Sequence, residues 1–288
     1  TFDPQAIADI YALKGRSSDN PLIAHVKDSE AAKALTRIWP DSAVRLAERF
    51  WPGPMTLVLP RREEVPAIAA GGLDTLAIRV PSHPIAQSLL AAMDEPLSAP
   101  SANRSGAISP TCASHVLMDY QNVPEANGML LLDGGVCDQG IESTVVDLTG
   151  SRPHILRPGS LGRHAIEETL GTRSDEAPPE KQAASPGTRA RHYAPSRPIL
   201  CVTPEGLHTA LQISGAAAVI SSDSHAIEPP HVYLLWSDDP SDAAKSLYDL
   251  MRRADCIEDC ERIVVVLPPD EPAWEAIHDR LRRAVAPR

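Results

Sequence analysis

Aromatic side chains make up only 4% of this 288-residue chain, so an interior of the usual size must be built from Leu, Ile, Val and Ala. Hydrophobic residues still amount to 43% and charged ones to 23%, which excludes global disorder. Cysteine is sparse as well. The five residues Cys112, Cys137, Cys201, Cys256 and Cys260 are odd in number and scattered, which excludes a disulfide framework and points to reduced thiols in a cytoplasm. Cys256 and Cys260 lie four apart with no neighbouring His or Cys pair to complete a zinc set, so they read as helix thiols and no protein metal site is expected. Positive charge is in deficit: 27 Lys and Arg against 38 Asp and Glu give a formal net charge of −11. That balance excludes a general polyanion binder but allows a small basic pocket, because field focusing depends on local geometry. No apolar run approaches the roughly 20 residues of a membrane span, and no secretory signal is visible. The chain opens at Thr1 inside a helix start, so upstream residues are expected.

What is present is an alternation of helix and strand patterns over a length suited to two domains. Asp3-Pro4 supplies an N-cap and first helical position before Ile7, Ile10, Tyr11 and Leu13, and Asn20-Pro21 then breaks the chain. The pattern predicts strands at 22–26, 55–59, 75–80, 96–98, 129–132, 143–148 and 154–156. It predicts helices at 29–37, 41–50 and 84–93. Between about Gly171 and Pro198 the chain is polar and Pro-rich, the signature of a linker. A second α/β series follows, with strands at 199–202, 216–221, 232–235 and 263–267 and helices at 241–254 and 271–285. The last helix carries Arg280, Arg282 and Arg283 at its end, an arrangement that suits the helix dipole.

Three clusters could carry chemistry. Lys14-Gly15-Arg16 followed by Asn20-Pro21 sets two cations at a helix end, where they would serve either as a C-terminal cap or as a clamp on a polyphosphate. No Walker-type Gly-x4-Gly-Lys-Ser/Thr run exists in the chain. Pro96 to Gly106, with Ser109-Pro110-Thr111, brings small hydroxyl residues after a strand, for ligand contacts or for the loop's own turns. The third cluster is Gly140 to Asp147 with Arg157-Pro158-Gly159. Arg79, ending an apolar strand, needs an anionic partner, either a structural carboxylate or a substrate one.

In this order the runs resemble the threonylcarbamoyl-adenylate synthases of the Sua5/YrdC type. The matching runs are Lys14-Gly15-Arg16 with Asn20-Pro21-Leu22 and His25, Trp51 to Thr56, Ala77 to Pro81, Ser98 to Asn103, Ser143 to Asp147 and Arg157-Pro158-Gly159. The run Ser185 to Pro195 is similar to the linker of the long, two-domain Sua5 form. The resemblance implies a YrdC-like α/β catalytic domain with a twisted mixed sheet over 1–171, a linker over 172–198 folding across the active site, and a small Rossmann-like three-layer α/β domain over 199–288. Family members begin with a strand and a Pro-Thr-Glu-Thr-like motif that helps bind threonine; no such motif occurs from Thr1 onward.

The implied reaction joins L-threonine, bicarbonate and ATP, with Mg2+ on the phosphates, into threonylcarbamoyl-AMP and pyrophosphate. The product feeds the tRNA threonylcarbamoyl transferase machinery that modifies adenosine 37 of ANN-decoding tRNAs. By the same resemblance Lys14 and Arg16 are catalytic, with Arg16, Asn20, Thr75, Ser101, Ser109, Arg157 and Tyr193 on ATP. His25, Arg79, Ala99 and Ser143 fall to threonine. Two other readings stay open: an RNA-binding module, since single-domain relatives carry a positive concave surface suited to weak RNA binding, and a carbamoyl-adenylate-type carbamoyltransferase domain.

Overall fold

A computed structural model describes residues 1–176, 178, 185–187, 191–223 and 227–287. Much of the expected linker, including Thr188, Arg189 and Ala190 of its matching run, lies outside the described residues. The chain divides into two compact units that are not continuous stretches. One comprises Thr1–Arg104, Asp119–Gly134 and Glu142–Arg189; the other comprises Ser105–Met118, Gly135–Ile141 and Ala190–Arg288. This differs from the expected ranges 1–171 and 199–288. The reason is hydrophobic: Ile108 and Ile141 are buried in the same core cluster as Leu247, Tyr248 and Met251.

In the first unit, α1 (Pro4–Lys14) begins where the Asp3 carboxylate accepts from the Gln5 and Ala6 N–H groups. It ends at Gly15, whose φ of 61° lets the Gly15 and Arg16 N–H groups reach back to Ala12 and Tyr11 carbonyls. The remaining elements are β1 (Ile23–His25), α2 (Ser29–Lys33), α3 (Asp41–Phe50), β2 (Met55–Pro60), β3 (Thr75–Arg79), α4 (Pro84–Met93), β4 (Leu97–Ser98), β5 (Thr144–Asp147), β6 (His154–Arg157), α6 (Arg163–Leu170) and β7 (Asp175–Glu176). A further helix, α5 (Ala113–Tyr120), spans the boundary of the two partitions. Among the described residues the strands form one mixed sheet in the order β4-β1-β3-β2-β5-β6-β7.

Strand alternation divides this sheet into two unlike faces. On one, Ala24, Leu76, Ile78 and Val80 pack with Ile7 and Tyr11 of α1. On that same side Met55, Leu57, Leu59 and Val146 pack with Leu46 of α3 and Ile166 of α6. The other face keeps only a small apolar floor of Ile23, Val58, Ala77, Val145 and Leu156.

The second unit is a parallel sheet in the order β10-β9-β11-β8, from β8 (Ile199–Val202), β9 (Ala216–Ser221), β10 (Val232–Leu235) and β11 (Cys260–Val266). Its helices are Leu207–Leu211, Pro240–Asp255 and Glu275–Ala284. The expected α/β class, a mixed-sheet domain with a small second α/β unit, is what the structure contains, and the second sheet is parallel.

Several local expectations are corrected. Residues 129–132 form no strand; Leu130 is 89% exposed and no ladder partner for the run occurs among the described residues. The helix from Ser29 stops at Lys33, because Thr36 bridges to Arg61. The last helix starts at Glu275 after a 3-10 turn at Pro272–Trp274. Cys256 is an exposed C-cap and Cys260 opens β11, so neither lies within a helix. Arg280 does not complement a dipole at the surface: it is fully buried, bonded to Asp279 at 2.8 Å and 5.2 Å from the Tyr193 ring centre. No described helix is long and apolar enough to cross a membrane.

Candidate functional site

Lys14 lies on the buried stripe of α1, in line with Ile7 and Tyr11, and this carries its ammonium inward. Its Nζ donates to the Ser101 and Asn103 carbonyls, each at 2.5 Å. Burial, chiefly, and the neighbouring Arg16 bring its pKa down to about 7. Arg16, also buried, donates through Nη2 to Asn20 Oδ1 (2.6 Å) and the Pro21 carbonyl (2.7 Å), and through Nε to the Asn20 carbonyl. The αL turn at Gly15 makes this pairing possible, placing the two cations astride a reversal of the chain. Two strands share that end of the sheet. Ile23 pairs with Ala77, so extending the register brings Pro21 level with Thr75. Ala24 pairs antiparallel with Ser98, and the Ala99 N–H donates to the Ile23 carbonyl, which draws Ala99 and Ser101 alongside the start of β1. The structure thus gathers Lys14, Arg16, Asn20, Thr75, Ala99 and Ser101 at the N-terminal end of β1 and β3.

The C-terminal end of these strands, on the face with the apolar floor, carries the other group. His25 pairs with Arg79, and continuing the register of β3 with β2 sets Thr56 beside Arg79. Thr56 pairs with Val145, and Val145 with Arg157. Directly paired residues point to one side, so His25, Arg79, Thr56 and Arg157 form a polar row over the apolar floor. A bulge between Val145 and Val146 turns both Leu156 and Arg157 onto this face.

Hydrogen bonds fix the row. Arg79 Nε donates to the Gly53 carbonyl (3.0 Å), and burial, then repulsion from Arg157, lowers its pKa to about 10. The buried Arg157 donates through Nε and Nη2 to the Ser143 carbonyl, through Nη2 to Ser143 Oγ, and through Nη1 to the Pro186 carbonyl at 2.8 Å. Ser143 Oγ lies 2.7 Å from Thr56 Oγ1. His25 Nδ1 faces the Ile23 carbonyl at 3.2 Å; burial and Arg79 push its pKa down to about 3, so it is neutral near pH 7.

None of the described bonding partners of Lys14, Arg79 or Arg157 is a carboxylate. Cations held on carbonyl oxygens leave their charge for an anionic ligand. The same donor set is a poor home for a divalent cation, which prefers carboxylate oxygens, so Mg2+ would be carried by a polyphosphate and not by these side chains. Among the described residues no group of three or more His, Cys, Asp or Glu is placed to hold a metal.

Ser109 and Tyr193 belong to the second unit. The Ser109 carbonyl accepts from Arg252 Nε. Tyr193, at a φ of 60°, is 1% exposed in that unit's core, stacked on Tyr248 with ring centres 5.5 Å apart. Two residues outside the expected set join the first unit's site: Asn103, whose carbonyl holds Lys14, and Thr56. The prolines around Ser98–Asn103 are the available signal for the first; Thr56 closes the Trp51–Thr56 run of the family resemblance, which assigns it no role of its own.

A family model described as telomere recombination, Sua5_yciO_yrdC, matches residues 1–159, and one described as the threonylcarbamoyl-AMP synthase C-terminal domain matches residues 161–286. The threonylcarbamoyl-AMP synthase of Pyrococcus abyssi is 45% identical over 205 residues, covering 70% of this chain and 59% of that protein. That of Bacillus subtilis is 41% identical, covering 67% and 56%. That of Schizosaccharomyces pombe is 30% identical, covering 98% and 80%. Among solved structures, Pyrococcus abyssi Sua5 complexed with L-threonine matches with a TM-score of 0.84 and 35% identity, over 99% of this chain and 85% of that one. The chain therefore spans less than two thirds of the length of the first two relatives in those alignments.

Proposed function

Because the chain belongs to the Sua5 family of threonylcarbamoyl-AMP synthases, we propose that it joins L-threonine, bicarbonate and ATP into threonylcarbamoyl-AMP with release of pyrophosphate. The observation that carries the reading is a cationic group at each end of β1 and β3. Thr75 and Arg79 lie four residues apart on β3, about 13 Å at strand rise. Lys14 and Arg16 mark one end, and His25, Arg79, Thr56 and Arg157 mark the other. A substrate with a polyphosphate at one pole and a small carboxylate at the other suits that layout.

In this reading Arg79 holds the threonine carboxylate beside neutral His25 and Ser143, while Ala99, expected with them, stands at the other end of β1 beside Ser101. Lys14 and Arg16 neutralise the triphosphate, which brings its own Mg2+, alongside Asn20, Thr75 and Ser101. The threonine amine adds to CO2 from bicarbonate, giving a carbamate. A carbamate oxygen then attacks the α-phosphorus, and the bond to the β-phosphate oxygen breaks. Nucleophile and electrophile are both anionic, so charge neutralisation and positioning dominate the barrier. Arg157, braced on Ser143, would meet the nucleotide from the β6 side. The product would serve the threonylcarbamoylation of adenosine 37 in ANN-decoding tRNAs. The test is pyrophosphate release from ATP with each substrate omitted in turn: release should need both L-threonine and bicarbonate, and release without threonine would overturn the reading.

A further inference from the structure

The Thr56 hydroxyl is fully buried, and its one side-chain partner is Ser143 Oγ. Its proton must go to that oxygen or be left unsatisfied, and an unsatisfied buried hydroxyl is costly. Only one of the two protons can lie between the oxygens, so one hydroxyl of the pair is left to wait for an acceptor. An anionic oxygen at Ser143 fixes the direction: Ser143 gives it its proton and accepts that of Thr56. Ser143 Oγ also receives a bond from Arg157 Nη2, a group that can only donate. Two donors then occupy both lone pairs of Ser143 Oγ, so its own O–H is free to point only outward. Among the described residues no acceptor takes that proton.

We infer that Thr56 is a positioning residue: it fixes Ser143 as an obligate hydrogen-bond donor aimed at an anionic oxygen of the amino-acid substrate. Such a Ser143 can meet a carboxylate oxygen but cannot accept from an ammonium group. Arg79, beside Thr56 in the row, supplies the charge for the same carboxylate, and Ser143 supplies direction. This rests on the assignment of threonine to the Arg79 end of β1 and β3.

The test is a calorimetric titration of L-threonine, and separately of ATP, into the full chain and its variants. Thr56→Val keeps the shape but removes the donor, and should weaken L-threonine about tenfold or more while ATP binding stays within about twofold. Thr56→Ser restores the hydroxyl and should restore affinity. In a Ser143→Ala background Thr56→Val should add little further loss, since it acts through Ser143. Should the valine variant fail to fold, Thr56→Ala takes its place. Unchanged threonine affinity in Thr56→Val, equal losses of threonine and ATP without rescue by serine, or a full additive loss in the Ser143→Ala background would each overturn the inference. Threonine binding by the wild type without pyrophosphate release would overturn the catalytic reading and leave this one standing. No threonine binding at all would overturn both.

Discussion

Burial and Arg16 hold the Lys14 amine near 7, with Asp119 opposing them and Arg104 adding to the depression. A polyphosphate on that amine would favour its charged form. At pH 8 ATP binding should therefore take up a proton, seen as a binding enthalpy that varies with the ionisation heat of the buffer. Replacing Lys14 with Met should abolish the dependence. Stability follows the same group. Its folded value lies below the 10.5 of the exposed amine, so the unfolded chain binds more protons between about 7 and 10.5. Lys14 should thus make stability rise with pH across that window, and Lys14→Met should flatten the rise in thermal midpoint. For His25, lowered from 6.5 to about 3, stability should fall as the pH drops from 6.5 toward 3. In catalysis, Lys14→Ala or Arg16→Ala should cut pyrophosphate release to background. Arg79→Ala should raise the threonine KM at least about tenfold, more than the ATP KM, in steady-state assays. The sequence offered Lys14 and Arg16 as a cap or a clamp without choosing. The choice depends on the carbonyls of Ser101 and Asn103, 87 and 89 residues away. Thr56 is legible only as the end of the Trp51–Thr56 run, because its role depends on the register that sets it against Ser143.

Elements were legible where period and caps agreed. The helix Asp41–Phe50 and the strands from Met55 and Thr75 follow directly from their apolar spacing and bounding prolines. The run at 129–132 has the composition of a strand, yet composition cannot supply a partner for a ladder. Gly159 illustrates a residue whose role belongs to an element pair. A Cβ there would stand 2.5 Å from the Glu142 carbonyl and the Thr144 N–H, against the backbone that presents Ser143. Gly159→Ala should therefore cost about 1–3 kcal/mol in denaturant unfolding and weaken threonine binding as well, because β5 must shift to admit the methyl group.

At the scale of the whole molecule, two cores are built from interleaved stretches of one chain. Composition invites a boundary in the polar, Pro-rich segment. It cannot show that Ile108 and Ile141, well inside the N-terminal half, are buried among Leu247, Tyr248 and Met251. A chain ending at residue 171 should lose that burial. Hydrogen exchange should then show residues 105–118 and 135–141 losing protection relative to the full chain, while the β1–β3 pairing keeps it. The carbonyl cage around Lys14 has a consequence for affinity. Near neutral pH the Lys14 amine, with a value of about 7, adds only part of a charge to the cations beside it. On the proposed reading, a phosphate chain that enters draws a full charge onto Lys14, so that part of the affinity for ATP would arise only on occupancy.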